Sequence, residues 1–170
     1  GGSLRVITAP KGSLQADVQF LDVLRRMGAR VVQHGDGVAV APGEKLAGTD
    51  EDLNAFSDSV PALAVLSCFA SDSTRIRNIA LVRGKESDRI GDLARELRKI
   101  GAEVKEHRDG LEIHPGPLHG ADLETYDDHR LAMAFALIGL KVPGIRIQNP
   151  GCVSKTYPDF FKGLESVSLR

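Results

Sequence analysis

The chain repeats itself, and that limits it to folds built from copies of one small unit. Gly28-Ala29-Arg30-Val31 recurs as Gly101-Ala102-Glu103-Val104, and His34-Gly35-Asp36-Gly37 recurs at the same offset as His107-Arg108-Asp109-Gly110. Val38, Val40, Pro42 and Gly43 match Leu111, Ile113, Pro115 and Gly116, while Phe20, Leu24 and Met27 fall on Leu93, Leu97 and Ile100. Ala62 and Ala64, in the apolar run 61–70, match Ala132 and Ala134 in the run 131–140. Strand-like segments open each copy at 4–7, 76–79 and 145–147. The chain therefore holds two full units, about residues 3–72 and 73–143, and the start of a third, 144–170.

Periodicity sets the elements within a unit. Val18, Leu21 and Leu24, and then Ile90, Leu93, Leu97 and Ile100, line one face of an amphipathic helix. Each helix ends at a glycine, Gly28 or Gly101, the residue that best accepts the left-handed position after a helix. Residues 104–113 alternate polar and apolar about Asp109-Gly110, a hairpin signal. The second helix of each unit is apolar nearly all round, as a buried helix is. The stretch 41–57 reads as a loop or short-helix connection, and the third unit stops after one helix over 159–166. The order is strand, loop, helix, strand, turn, strand, helix. The expected architecture is α/β (α+β), with small mixed sheets around buried helices.

Net charge is −1, so a general surface for nucleic acid or membrane, which needs a basic excess, is excluded. No apolar run approaches the roughly 20 residues of a membrane span, and there is no secretory signal pattern. Two cysteines do not make a disulfide framework; Cys68, inside an apolar run, reads as a small buried hydrophobe. A cytoplasmic setting is expected. The chain opens with Gly1-Gly2, without Met, and is expected to be part of something longer.

Charge is instead clustered at three stations, each in a loop before a helix. The first is Arg83-Gly84-Lys85-Glu86-Ser87-Asp88-Arg89, where Ser87 or Asp88 can cap the helix and free N–H groups favour an anion. A solvated, charged helix start explains the same residues. The second is Tyr126-Asp127-Asp128-His129-Arg130, where Asp127 or Asp128 can cap and an arginine at the mouth of a buried helix needs a partner. The third is Ser154-Lys155-Thr156, with Lys11-Gly12-Ser13 its weaker counterpart in unit one. Equivalent loops of a repeat fold gather on one face, which brings Arg89, Arg130 and Lys155 together. Two arginines suit a carboxylate and a phosphate, and lysine adds a point charge. Asp58 stands at the position matching Asp128 and reads either as a helix cap or as a site acid. His34, His107, His114 and His119 match no zinc spacing, and there is no glycine-rich nucleotide loop. Arg95, Glu96, Arg98 and Lys99 read as a solvated helix face.

Lys85-Glu86-Ser87-Asp88-Arg89-Ile90, Tyr126 to Met133, and Ser154-Lys155-Thr156-Tyr157-Pro158-Asp159-Phe160-Phe161 resemble, in order, the motifs of the EPSP synthase family. The resemblance implies a two-domain enzyme with three βαβαββ units per domain. This chain would be a partial C-terminal domain, lacking its first unit and the whole N-terminal domain. It implies transfer of the enolpyruvyl group of phosphoenolpyruvate to the 5-hydroxyl of shikimate 3-phosphate, releasing phosphate on the way to chorismate and the aromatic amino acids. No metal or organic cofactor is called for, and the full-length enzyme would be a monomer.

By the same resemblance Arg89, Arg130 and Lys155 bind phosphoenolpyruvate, and Lys85 contacts shikimate 3-phosphate. Asp58 accepts the hydroxyl proton, and Glu86 and His129 lie at the reacting centre, with Glu86 a candidate proton donor to the methylene carbon. Two positions depart from the pattern. Leu81 stands where the family often has asparagine, and Asp58-Ser59-Val60-Pro61 replaces the more usual Pro-Asp-Ala. Two other readings stand beside this one: an enolpyruvyl transferase with another acceptor such as a UDP-sugar, and a non-catalytic anion-binding module. The fragment alone is expected to be inactive.

Overall fold

The repeat in the sequence is a repeat in the backbone. In the computed structural model, which describes residues 4–6, 13–35 and 37–168, strands β2 (Arg30–His34) and β3 (Gly37–Ala41) pair antiparallel from Arg30↔Ala41 to His34↔Gly37. Strands β6 (Glu103–His107) and β7 (Gly110–His114) pair from Glu103↔His114 to His107↔Gly110, the same register one unit later. The opening strands β1 (Leu4–Val6) and β5 (Thr74–Arg77) add to these hairpins in matching register, Leu4↔Val40 and Thr74↔Ile113. Ile7, Lys11 and Gly12 lie outside the described residues.

The helices follow the expected order. They are α1 (Phe20–Arg26), α2 (Val60–Ser67), α3 (Arg89–Lys99), α4 (His129–Ile138) and α5 (Phe160–Ser168). Gly28 and Gly101 both take a left-handed φ, 101° and 95°. A Cβ on either would stand 2.5 Å from a carbonyl oxygen, that of Lys45 or of Pro117. The two units thus close their first helix against the returning chain in the same way.

Two expectations are corrected. The stretch 41–57 holds a strand, β4 (Asp50–Asp52), beside the short helix expected there, the 3-10 segment Asn54–Ser59. Three acidic residues have little strand preference. They become a strand because β5 lies alongside, parallel, with Glu51 opposite Ile76. β8 (Asp122–Leu123) repeats the arrangement beside β9 (Arg146–Ile147). The sheets are β1-β3-β2, β4-β5-β7-β6 and β8-β9.

The second correction concerns the apolar helices. α2 and α4 pack together and carry much of the core, including Leu63, Ala64, Leu131 and Phe135. They are not buried all round. Leu137 on α4 is 40% exposed, and α1, α2 and α4 frame an apolar groove of ≈ 420 Å³ lined by Phe20, Leu24, Leu66, Phe69 and Leu140.

Candidate active site

The three stations meet. Asp88 caps α3, its side chain accepting from the N–H groups of Ile90 and Gly91. Asp128 caps α4 in the same way, accepting from Arg130 and Leu131. The caps fix where Arg89 and Arg130 leave their helices. Lys155 ends the 3-10 segment Pro150–Lys155, which packs on α4.

Arg89 is the hub. Its side chain is 1% exposed. Nε donates to Asp128 Oδ2 at 2.7 Å, Nη1 to Asp58 Oδ1 at 2.9 Å, and Nη2 to Glu86 Oε2 at 2.8 Å. Arg130 Nη2 donates to the other Asp58 oxygen at 2.9 Å, and Lys155 Nζ to Glu86 Oε1 at 2.7 Å. Lys85 Nζ lies 3.7 Å from Asp58 Oδ1. The sequence leads one to expect Arg89, Arg130 and Lys155 around one anion, with Lys85 on a second. In the structure Arg89 is buried among three acids, and Arg130, Lys85 and Lys155 are the cations that reach solvent. Asp58, Lys85 and Arg130 line an open cleft of ≈ 470 Å³, faced from unit one by Asp17 and Gln15, residues the motifs did not single out.

Asp58 does not cap α2, whose N-cap is Ser59 without a side-chain bond; it faces the cations instead. His129 is 3% exposed, and its Nδ1 has no partner among the described residues. Burial lowers its pKa, more than the Asp128 carboxylate raises it, so the ring is neutral at pH 7. Leu81 is 44% exposed on the 3-10 segment Ala80–Gly84. Arg83 turns away from the site to Asp88, Glu106 and the His107 carbonyl, where it braces the β6–β7 hairpin.

The electrostatics follow from the contacts. Lys155, ahead of the backbone and Arg89, holds the Glu86 carboxyl down at about 2. Burial pushes Asp128 up, but Arg89, the Arg130 N–H and Ser87 outweigh it and hold the carboxyl below its ordinary value. Burial disfavours the Arg89 charge, and Asp128, with Glu86 and Asp58, more than restores it. Among the described residues no cluster of His, Cys, Asp and Glu fits a metal ion, and no helix is long and apolar enough to cross a membrane.

The helix α3 corrects the sequence reading. Glu96, expected on a solvated face, is 0% exposed and accepts from Tyr126 OH at 2.6 Å, Lys99 Nζ at 2.7 Å and the Glu124 N–H at 3.0 Å. The signal for this was in the repeat, because the position matching Glu96 in unit one is Val23, in the core.

Small mixed sheets around buried helices, with cations gathered at helix starts, place the chain among enolpyruvyl transferase folds. EPSP synthase from Acinetobacter baumannii superposes with a TM-score of 0.84 at 24% identity, over 98% of this chain and 42% of that one. The enolpyruvyl transferase NikO from Streptomyces tendae superposes with a TM-score of 0.76 at 30% identity, over 96% and 38%. The family model for EPSP synthase (3-phosphoshikimate 1-carboxyvinyltransferase) matches residues 1–164, and the chain belongs to that family. The 3-phosphoshikimate 1-carboxyvinyltransferases of Nostoc punctiforme and Hamiltonella defensa are 48% and 46% identical to it, over 95% and 99% of this chain. The chain spans 38% and 39% of their lengths.

Proposed function

We propose that this chain supplies one side of an active site that transfers the enolpyruvyl group of phosphoenolpyruvate to the 5-hydroxyl of shikimate 3-phosphate. The observation that carries the reading is the junction of Arg89, Arg130, Lys85 and Lys155 with Asp58 and Glu86. Phosphoenolpyruvate brings a phosphate and a carboxylate, which suit Arg130 and Lys155, with Arg89 behind them. Lys85 takes the phosphate of shikimate 3-phosphate.

The acids now held by those cations have work once the anion arrives. Phosphoenolpyruvate competes with Glu86 for Lys155. Stripped of that partner, Glu86 rises from about 2 and can carry a proton. Glu86 protonates the methylene carbon, Asp58 accepts the hydroxyl proton, and the hydroxyl oxygen bonds to the central carbon. The tetrahedral intermediate then loses phosphate, which carries away the proton that Asp58 took, as Glu86 takes a methyl proton back, leaving the enol ether. The cations stabilise the departing phosphate, and neutral His129 opens the helix that carries Arg130.

The same reading makes the chain two units and part of a third of a C-terminal domain, about 3–72, 73–143 and 144–170. β4 pairs parallel with β5 and β8 with β9, whereas β1 has no parallel neighbour among the described residues. The remaining unit would add that strand and seat its apolar helix in the groove between α1, α2 and α4. An N-terminal domain would close the cleft.

The test is complementation. The chain is mixed with a matching N-terminal part, and phosphate release from phosphoenolpyruvate plus shikimate 3-phosphate is measured. Acceptor-dependent release is expected, with little from the chain alone. Release with a UDP-sugar and not with shikimate 3-phosphate would reject the acceptor, and none with either would reject the transferase reading.

A further inference from the structure

One helix grips the second station twice. α3 starts at Arg89, and Glu96 lies about two turns along on the same face. Arg89 meets Asp128 at 2.7 Å, and Glu96 meets the Tyr126 hydroxyl at 2.6 Å and the Glu124 N–H at 3.0 Å. Arg95 completes the grip, donating to the phenol oxygen at 3.0 Å with its guanidinium 5.6 Å from the ring centroid. The chain between these points is in an unfavourable conformation. Tyr126 and Asp127 both have left-handed φ, 53° and 59°, without being glycine. Directly after them Asp128 caps α4 and Arg130 turns to Asp58.

The fold does not need a carboxylate at this place. The internal repeat sets Glu96 on Val23 and Tyr126 on Phe56, 0% and 8% exposed. Unit one thus puts hydrocarbon where unit two puts a buried acid and a phenol. A buried carboxylate pays desolvation that valine does not, and replacing such groups by hydrophobes is often neutral or stabilising. What the pair adds is direction, because a hydrogen bond fixes geometry that an apolar contact leaves loose.

We propose that Glu96 is a positioning residue for the anion site, holding Tyr126 so that the 124–128 turn presents Asp128 to Arg89 and Arg130 to Asp58. This rests on the reading that Arg130 and its neighbours bind an anion. The residue acts only through the turn and does not touch the ligand.

The test uses the 170-residue chain with phosphoenolpyruvate as probe, followed by phosphorus NMR at low ionic strength. Glu96→Gln and Tyr126→Phe should each weaken binding by about tenfold. Their combination should be no weaker than the poorer single variant, since both act through one bond. The decisive variant is Glu96→Val with Tyr126→Phe, which copies unit one. It should unfold in urea no earlier than the parent yet bind about tenfold more weakly, a split that a merely structural role would not produce. If it fails to fold, Glu96→Gln alone decides the matter by the same comparison. A parent chain that binds, with variants that bind equally well, overturns this inference alone. A parent chain that does not bind overturns the anion-site reading and this inference with it.

Discussion

Arg89 and Asp128 form an ion pair at 2.7 Å with side chains 1% and 0% exposed, and Asp128 also caps α4. The repeat sets Asp58 on Asp128, so two equivalent aspartates clasp the same guanidinium from two units. Removing the deeper one leaves a buried charge short of its partner and a helix without its cap. Asp128→Ala should therefore destabilise the chain by about 3–5 kcal/mol. Asp58→Ala, with a side chain 34% exposed, should cost less. Urea unfolding compares the two; an equal, small loss for both would contradict the assignment of Asp128 as the structural partner.

The acids of the site predict the acid limb of stability. Glu86 sits at about 2 against an ordinary 4.5, and Asp128 is lowered too. A carboxyl whose folded pKa is depressed stabilises the fold above its unfolded pKa, and that gain is lost as pH falls toward the folded value. Stability should fall between about pH 4.5 and 2, and Glu86→Gln should flatten the slope there. Urea midpoints measured down that range check it, and an unchanged slope would remove Glu86 from the ion-pair network.

Arg130 tests the site without testing the fold. Its side chain is 33% exposed and its bond to Asp58 is partly solvated, so Arg130→Ala should cost about 1 kcal/mol of stability or less. Loss of a charge-assisted bond to an anion is worth about 1.5–3 kcal/mol. Phosphoenolpyruvate affinity should accordingly drop about tenfold to a hundredfold, with a shallower salt dependence. Titration by phosphorus NMR decides; unchanged affinity would take Arg130 out of the site.

Tyr126 should titrate late. Burial first, and then the Glu96 carboxylate, push its phenol up to about 12, against the pull of Arg95. The chain has two tyrosines and no tryptophan, so Tyr157→Phe leaves Tyr126 as the single ultraviolet reporter. The phenol should stay protonated past the usual value of about 10, and Glu96→Gln should bring it down. A free-tyrosine titration in the parent would mean that the Glu96–Tyr126 bond does not form.

Gly101 tests the repeat itself. Its φ is 95°, and an added Cβ would meet the Pro117 oxygen at 2.5 Å. Gly101→Ala should destabilise by about 1–3 kcal/mol from backbone strain. Gly28→Ala, in the same geometry against Lys45, should cost a similar amount. Thermal melts of the two variants check this; a neutral Gly101→Ala would deny the left-handed position.

Much of this was legible in the chain because it is local. Hairpin register, the glycine ends of α1 and α3, and the presence of a cap at the starts of α3 and α4 depend on neighbours a few residues away, though the choice of Asp88 over Ser87 and of Asp128 over Asp127 did not show. So does the placing of Lys85, Arg89 and Arg130 at the start of a helix or in the loop before it, whereas Lys155, expected in a loop, ends the 3-10 segment Pro150–Lys155. β4 was not legible, since Asp50-Glu51-Asp52 is a strand only because β5 runs beside it. The fate of each charge was not legible from its own motif, although the repeat, by setting Glu96 on the core residue Val23, marks one of them. Arg89 and Lys85 lie four residues apart in one motif, yet the first is buried among three acids while the second faces solvent. Glu96 and Arg95 are adjacent on one helix, and the first is at 0% exposure while the second is exposed. Helical pattern tells which residues share a face. Only the packing of α3 against the 124–128 turn, two segments distant in the chain, determines which of those charges loses its water and must find a partner inside.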